Sequence, residues 1–318
     1  MPIGLGLAVS HAPGMFAKTQ ENWDGLWERL STGRGIPQPA YVYEETGEKL
    51  QDMINRIDAS HAKLIEEFDA YKPDLLIIIG GDQSEMFDRS NVPQFMMFTG
   101  PTAYGLMAGR ERENPAPEVT CDVDVESSNY ILNKLVKEHG FDIAFSSEME
   151  NFGRGHGLPH AFARLISYIT TNTPTPMVLI YENTYDPPSL SAKRCYEFGQ
   201  ALAKICKTMD KRVAIMGSGG LAHDPGGKRS GWLDQPLDHW FLDKIADGEG
   251  KATQALFSYD SDTMVSGTGE IRAWITVAGA LEEMGSRAKV IDYIPGAKTV
   301  TGLSAAYWNT DPAKAGVR

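Results

Sequence analysis

The feature that most constrains the fold is a short apolar run that follows a long amphipathic segment. Residues 75–79 read Leu-Leu-Ile-Ile-Ile without a polar break, which is typical of a strand covered on both faces of a parallel sheet. In the preceding segment, residues 48–70, apolar side chains recur at helical spacing and predict an amphipathic helix. A strand of this kind needs a layer of helices on each side, and a chain of 318 residues is long enough to supply both.

The same order of helix and strand recurs along the chain. An apolar run at 3–9 predicts the first strand, whereas the weak pattern at 17–45 indicates short helices and a loop. Further helices are predicted at 127–139, 161–170 and 191–209, and strands follow them at 142–146, 176–180 and 212–216. This alternation predicts an α/β fold with a central mixed β-sheet flanked by helices on both faces. No repeat or linker divides the chain, so we expect one catalytic domain over residues 1–318.

Charge and composition exclude several classes of protein. The chain carries 42 acidic and 30 basic side chains, a net charge of −12, which argues against nucleic acid or an anionic membrane as a partner. Its three cysteines form no C-x-x-C pair, which argues against a disulfide framework and a zinc ribbon. No apolar run approaches the roughly 20 residues of a membrane span, and the N-terminal segment lacks the basic start of a signal peptide. We therefore expect a cytoplasmic protein.

Polar residues follow the predicted strands, at the edge of a parallel sheet where ligands usually bind. Imidazoles and carboxylates stand in these loops or at a predicted helix start: His11, Asp82, Glu85, His156, His160, His223 and Glu270. Such residues often assemble a metal or acid–base site. Each also has a structural alternative, such as a hydrogen-bonded core histidine or a glutamate that complements a helix dipole. No G-x-S-x-G motif or complete phosphate loop is present.

In their order along the chain, these motifs resemble the class III extradiol ring-cleavage dioxygenases, and most of all the catalytic β subunits of protocatechuate 4,5-dioxygenases. The resemblance is carried by Ser-His-Ala-Pro at His11, the turn at Asp82, the glycine-rich segment that ends at His223, and Gly-Glu-Ile-Arg-Ala-Trp at 269–274. Thr-Tyr-Asp-Pro-Pro-Ser at 184–189 and Tyr-Ile-Pro at 293–295 extend it over nearly the whole chain.

This resemblance implies a single α/β domain, a non-haem Fe(II) and cleavage of a catecholic ring with O₂. It implies His11 and Glu270 as metal ligands and His223 as the acid–base residue. The second metal histidine of the family is replaced here by Gln83. Because an amide oxygen is a harder and weaker donor than imidazole, Mn(II) or another divalent metal is the alternative to Fe(II). Two further alternatives are that Asp82 or Glu85 ligates the metal, or that no metal is bound.

Other residues are candidates for contacts around this site. His156 and His160 are further catalytic candidates: His156 lies where the family has a His-Gly motif, and the spacing to Pro159 leaves open which of the two corresponds to it. Trp274 is a candidate for the wall of an aromatic pocket, with core packing as the alternative. Three cations are candidates for pairing with a substrate carboxylate, with solvated loop charges as the alternative: Arg154, Lys228 and Arg229.

Three functions agree with the sequence. The first is a ring-opening dioxygenase that acts on a catecholic or related hydroxylated aromatic compound. The second is a metal-dependent, non-oxidative enzyme on the same scaffold, such as a hydrolase, decarboxylase or C–C lyase. The third is a non-catalytic paralogue that assembles with an active subunit. The expected partners are a small aromatic substrate, O₂ and further copies of the chain; the resemblance adds a separate small helical subunit as an alternative partner.

Overall fold

The computed structural model describes residues 3–107, 117–259 and 261–310. The β-strands in these residues are β1 (Ile3–Val9), β2 (Leu75–Gly80), β3 (Phe95–Phe98), β4 (Thr102–Leu106), β5 (Glu118–Asp122), β6 (Ala144–Ser146), β7 (Met177–Glu182), β8 (Val213–Ser218), β9 (Lys289–Gly296) and β10 (Thr301–Asn309). The α-helices are α1 (Gln20–Leu30), α2 (Gly47–Tyr71), α3 (Val125–Lys137), α4 (His160–Ile169), α5 (Ala192–Cys206), α6 (Gln235–Ala246) and α7 (Ile271–Glu282).

Eight of the strands form one mixed sheet in the order β6-β3-β7-β2-β8-β1-β10-β9. Its central strands β7, β2, β8 and β1 are parallel to one another. On either side, β3 pairs antiparallel with β7, and β10 pairs antiparallel with β1. The strands β4 and β5 form a separate antiparallel pair. The carboxyl ends of the central strands therefore meet at one edge of the sheet.

The apolar run at 75–79 forms β2, which is buried along its whole length. Leu75, Ile77 and Ile79 pack into one hydrophobic cluster, together with residues of α3, α5, α6 and α7. Leu76 and Ile78 pack into a second cluster on the opposite face, together with residues of α1, α2 and α4. Each such side chain contributes about 1.5–3 kcal/mol of burial free energy. The predicted α/β fold, with helices on both faces of a mixed sheet, is confirmed.

Most predicted elements lie within a few residues of their observed positions. The helix predicted at 48–70 is α2, and the strand predicted at 212–216 is β8. The strand predicted at 142–146 is shorter, because β6 is an edge strand with a single neighbour, and its Phe145 is 67% exposed. The patterns do not predict β9 because most of its side chains are only half-buried and form no continuous apolar run.

Within the three described ranges, no helix is both long and apolar enough to cross a membrane. The cytoplasmic location and the extent of the domain over residues 1–318 stay predictions.

Candidate active site

A cavity of about 1430 Å³ lies at the carboxyl edge of the parallel strands. His11 follows β1, Gln83 follows β2, and His223 follows β8, and all three line this cavity. Glu270 reaches them from the short 3-10 helix Ser266–Glu270, which leads into α7. The four residues come from distant parts of the chain, so only the order of the strands brings them together.

Glu270 is the centre of this group. Its Oε2 lies 3.5 Å from Nε2 of His11 and 3.5 Å from Nε2 of His223. The same carboxylate accepts hydrogen bonds from the Gln83 amide and from the Gly220 N–H, both at 2.9 Å. Burial by itself would raise the pKa of Glu270, but the two imidazoles and the Gly220 N–H outweigh burial and hold this pKa well below its usual range. The carboxylate is therefore ionised.

Hydrogen bonds fix which nitrogen of each imidazole is free. The Ser218 hydroxyl donates to the Ala161 carbonyl at 2.5 Å, so its oxygen accepts from Nδ1 of His11 at 3.0 Å. Nδ1 of His223 lies 2.7 Å from the carbonyl of Leu221, which can only accept. The proton is therefore on Nδ1 in both rings. Each Nε2 faces the shared carboxylate oxygen and is the nitrogen that would bind a metal in the neutral ring.

The donor set fits a divalent metal ion. The Nε2 atoms of two imidazoles converge on one ionised carboxylate oxygen, each at 3.5 Å, and imidazole and carboxylate are ordinary ligands of divalent transition metals. Rotation of the Gln83 amide would add its oxygen as a further donor. In the part of the chain that the structure describes, no three His, Cys, Asp or Glu side chains already surround a metal position.

Asp82 stabilises the loop that carries Gln83. Its carboxylate accepts the backbone N–H groups of Glu85, Met86 and Phe87 at 2.9, 3.2 and 2.9 Å. Burial raises the pKa of Asp82 to about 6, against the opposing effect of these hydrogen bonds. The carboxylate of Glu85 is likewise bonded elsewhere, to His160. Gln83 is thus the side chain of this loop that contacts Glu270.

His156, which precedes α4, and His160, which begins it, lie in different places. His160 is buried, lines the cavity and stands edge-on to the ring of His11, with centroids 4.9 Å apart. Glu85 accepts a hydrogen bond from its Nδ1 at 2.5 Å. His156 is exposed, and its Nε2 lies 3.2 Å from the carboxylate of Glu118. The structure thus brings His160, and not His156, to the cavity.

Four residues expected to contact the substrate are not among those that line this cavity: Arg154, Lys228, Arg229 and Trp274. Trp274 is fully buried because α7 packs its first turn into the core, and its Nε1 donates to the Gly219 carbonyl at 2.9 Å. Lys228 and Arg229 line a different cavity, of about 610 Å³, beside Trp232. Arg154 is exposed on a surface loop. The roles expected for these side chains thus have no support from their positions.

Three further residues near the site are not predicted as site residues from the sequence: Ser218, Arg164 and Tyr185. Arg164 lines the cavity and donates to the carbonyl of His11 at 2.8 Å. Tyr185 also lines it, with its hydroxyl 3.0 Å from that of Ser266. The spacing of four residues between His160 and Arg164 places both on one face of α4, and this signal could have identified the arginine.

Comparison with known protein families identifies the family. Residues 6–306 match the family described as "Catalytic LigB subunit of aromatic ring-opening dioxygenase". The chain belongs to this LigB family. The matched residues include His11, Gln83, His223 and Glu270, and the resemblance to class III extradiol dioxygenases is confirmed.

Curated relatives of this LigB-family chain carry the name 2,3-dihydroxyphenylpropionate/2,3-dihydroxicinnamic acid 1,2-dioxygenase. The protein from Klebsiella pneumoniae subsp. pneumoniae is 27% identical over 188 residues, which cover 59% of this chain and 54% of that protein. The protein from Rhodococcus sp is 29% identical over 228 residues, which cover 71% and 58%. The chain thus aligns with a little over half the length of these relatives.

Among solved structures, the uncharacterized protein JW3007 from Escherichia coli K12 is similar, with a TM-score of 0.49 and 12% identity. The similarity covers 95% of this chain and 99% of that one.

Proposed function

We propose that this protein is a ring-opening dioxygenase that cleaves a catecholic substrate with O₂ at a non-haem metal held by His11, Glu270 and Gln83. The observation that carries the proposal is the convergence of the Nε2 atoms of His11 and His223 on the ionised Oε2 of Glu270. Membership of the LigB family and the names of the relatives support ring-opening chemistry over other uses of such a site.

A bound metal of this kind would supply positions for two adjacent substrate oxygens and for O₂, together with a route for electrons from the ring to O₂. We propose Fe(II) as this ion. The amide of Gln83 is a weaker and harder donor than imidazole, so Mn(II) is the alternative that we would test beside it.

His223 is the proposed acid–base residue. The Leu221 carbonyl holds its Nδ1–H, so Nε2 is free to accept the proton of a substrate hydroxyl and to return it to the opened ring. Two hydrogen bonds hold the backbone of His223 beside Thr268. The His223 N–H donates to the Thr268 hydroxyl at 3.1 Å, and the Thr268 N–H donates to the His223 carbonyl at 3.0 Å. Gly267 leaves room for the ring, since a Cβ there would lie 2.1 Å from Nε2 of His223.

We propose a catechol with an acidic side chain as the substrate class. The relatives are named for 2,3-dihydroxyphenylpropionate, a ring that carries a carboxylate. The cavity, at about 1430 Å³, has room for such a side chain, and the exposed Arg29 and Arg34 are part of its wall. An arginine beside the cavity can pair with the carboxylate at its outer end.

The test is O₂ uptake by protein freshly loaded with Fe(II) or Mn(II). The panel contains catechol, protocatechuate, gallate and 2,3-dihydroxyphenylpropionate. We expect uptake that matches the appearance of the ring-opened product, and a loss of about 10²–10⁴-fold in rate for His223→Ala. His156→Ala, which changes an exposed histidine away from the cavity, serves as the control and keeps the parental rate. Metal-loaded protein that consumes no O₂ with any member of the panel would refute the proposal.

One observation favours a second candidate. Gln83 stands where the iron-selective histidine is expected, and a harder donor set suits non-oxidative chemistry at Mn(II) or Mg(II). Formation of product from the same panel under strict anaerobiosis would identify a hydrolase, decarboxylase or C–C lyase on this scaffold. The homo-oligomeric state and the small helical partner subunit stay predictions.

A further inference from the structure

We propose that Glu85 is a positioning residue of this site: it orients His160 so that Nε2 of that imidazole faces the substrate cavity as a hydrogen-bond acceptor. The orientation itself stands on the structure alone. Its meaning for catalysis rests on the proposed function, in which a catechol hydroxyl is the group that such an acceptor would contact.

Glu85 accepts two hydrogen bonds from His160, one from the ring and one from the backbone. Its Oε1 lies 2.5 Å from Nδ1 of the ring, and its Oε2 accepts the backbone N–H at 2.7 Å. Both side chains are almost fully buried. Because a carboxylate accepts at both oxygens, Nδ1 carries a proton, and in the neutral ring Nε2 keeps its lone pair.

The free nitrogen is the one that reaches the cavity. His160 lines the cavity, and Glu85 occupies the Nδ1 side of its ring. Within the described parts of the chain, Nε2 of His160 accepts no hydrogen bond. This atom is also not fully buried. The ring also stands edge-on to His11, at 4.9 Å between centroids. An acceptor is thus held next to the proposed metal ligand.

Local structure holds Glu85 in place from both sides. Its carbonyl accepts the N–H of Gly155 at 2.7 Å and the Asn151 side chain at 3.1 Å. The close approach requires glycine at 155, since a Cβ there would lie 2.8 Å from the Cβ of Glu85. In the same loop, the side chain two residues earlier, Gln83, bonds to Glu270. One loop therefore supplies a neutral amide to the proposed metal group and a carboxylate to the second histidine.

The direct test is the tautomer of His160. We would record long-range ¹H–¹⁵N spectra of ¹⁵N-histidine-labelled protein without paramagnetic metal, and assign the signal by its loss in His160→Gln. The parent is expected to show the Nδ1–H form. In Glu85→Gln we expect the amide oxygen to accept the backbone N–H of His160, so that the amide NH₂ faces the ring. Nδ1 then accepts a hydrogen bond from this NH₂ group, and His160 changes to the Nε2–H form.

Glu118→Gln is the matched control. It neutralises a carboxylate that lies 3.2 Å from Nε2 of His156. Both residues of this pair are exposed and lie away from the cavity. We expect the signal of His160 to be unchanged in this variant, and the activity to equal that of the parent.

The second readout separates positioning from a structural role. With Fe(II)-loaded enzyme and 2,3-dihydroxyphenylpropionate, Glu85→Gln is expected to lower kcat about 10–100-fold, the usual cost of losing a partner that orients a functional imidazole, with KM changed less than twofold. If the tautomer of His160 switches in Glu85→Gln but kcat is unchanged, the proposed role of the pair in catalysis is wrong.

Other outcomes distinguish the two proposals. If His160 keeps the Nδ1–H form in Glu85→Gln, or already has the Nε2–H form in the parent, the positioning role is wrong. The parent spectrum alone gives this answer if the variant does not fold. If the tautomer switches but the parent consumes no O₂ with any catechol, the positioning stands and the dioxygenase proposal fails.

Discussion

Ser218→Ala should weaken metal binding in addition to the fold. The Ser218 hydroxyl is fully buried, accepts from Nδ1 of His11 and donates to the carbonyl of Ala161. Alanine removes both bonds and frees the His11 ring to rotate or to move its proton to Nε2. A metal binds Nε2 only when this nitrogen carries no proton. The substitution should therefore weaken the binding of a metal to His11.

The magnitude follows from these contacts. A buried group left without its partner costs about 1–3 kcal/mol, and the substitution leaves two such groups. We therefore expect the free energy of unfolding to fall by about 2–6 kcal/mol, with the smaller value if the His11 ring finds another arrangement. Loss of a partner that orients a metal-binding histidine typically costs about 10–100-fold in metal affinity, which is about 1.4–2.8 kcal/mol.

The assay is the dissociation constant of Mn(II), from the electron paramagnetic resonance signal of the free ion, together with urea unfolding of the metal-free protein. Ser304→Ala is the matched control, because this buried hydroxyl donates to the carbonyl of Asp292 at 2.7 Å away from the cavity. We expect the control to lose about 1–2 kcal/mol of stability and no metal affinity. Equal Mn(II) affinity in the parent and in Ser218→Ala would refute the assignment of His11 as a ligand held by Ser218.

Three further predictions concern the site and the core. Gln83→His should tighten Fe(II) binding by at least 10-fold relative to Mn(II), measured by competition with a chelator, since imidazole favours Fe(II) over the harder ion; equal tightening of both would contradict the role of the amide. Arg34→Ala should raise KM for 2,3-dihydroxyphenylpropionate several-fold and leave KM for catechol unchanged; an equal effect on both would exclude a contact with the carboxylate. Burial raises the pKa of Glu182 to about 8 from an ordinary value of 4.5. The folded state therefore holds a proton that the unfolded chain releases, and the parent should lose stability between about pH 4.5 and 8, by up to about 1.4 kcal/mol per pH unit. Glu182→Gln should flatten this part of the pH profile in urea unfolding, and an unchanged slope would show that Glu182 ionises normally.

Sequence patterns predict the fold where a strand is buried on both faces. β2 must carry an unbroken apolar run because two clusters of helices cover it, and this run is visible without a structure. β9 lies at the edge of the sheet, and its half-buried side chains carry no such run. Burial is thus the physical reason why β2 could be predicted and β9 could not.

The positions of His11, Gln83 and His223 could be inferred from the sequence because each follows a strongly patterned parallel strand, and such strands end at one edge of a sheet. Which atoms carry protons could not be inferred. The tautomers depend on Ser218 and on the Leu221 carbonyl, and the first of these is 207 residues from His11 in the chain. Local patterning carries no information about such a contact.

Local sequence patterns are enough to predict the layers and the edge of the sheet at which polar side chains gather, and the resemblance predicts a histidine where this chain has Gln83. The different positions of His156 and His160 depend on long-range contacts that no local pattern shows. The two are four residues apart in similar surroundings, yet one pairs with exposed Glu118 and the other with buried Glu85. Their partners lie 38 and 75 residues away. The role of a loop residue is set by the partner that folding brings to it, because that partner fixes its burial, its proton and its direction.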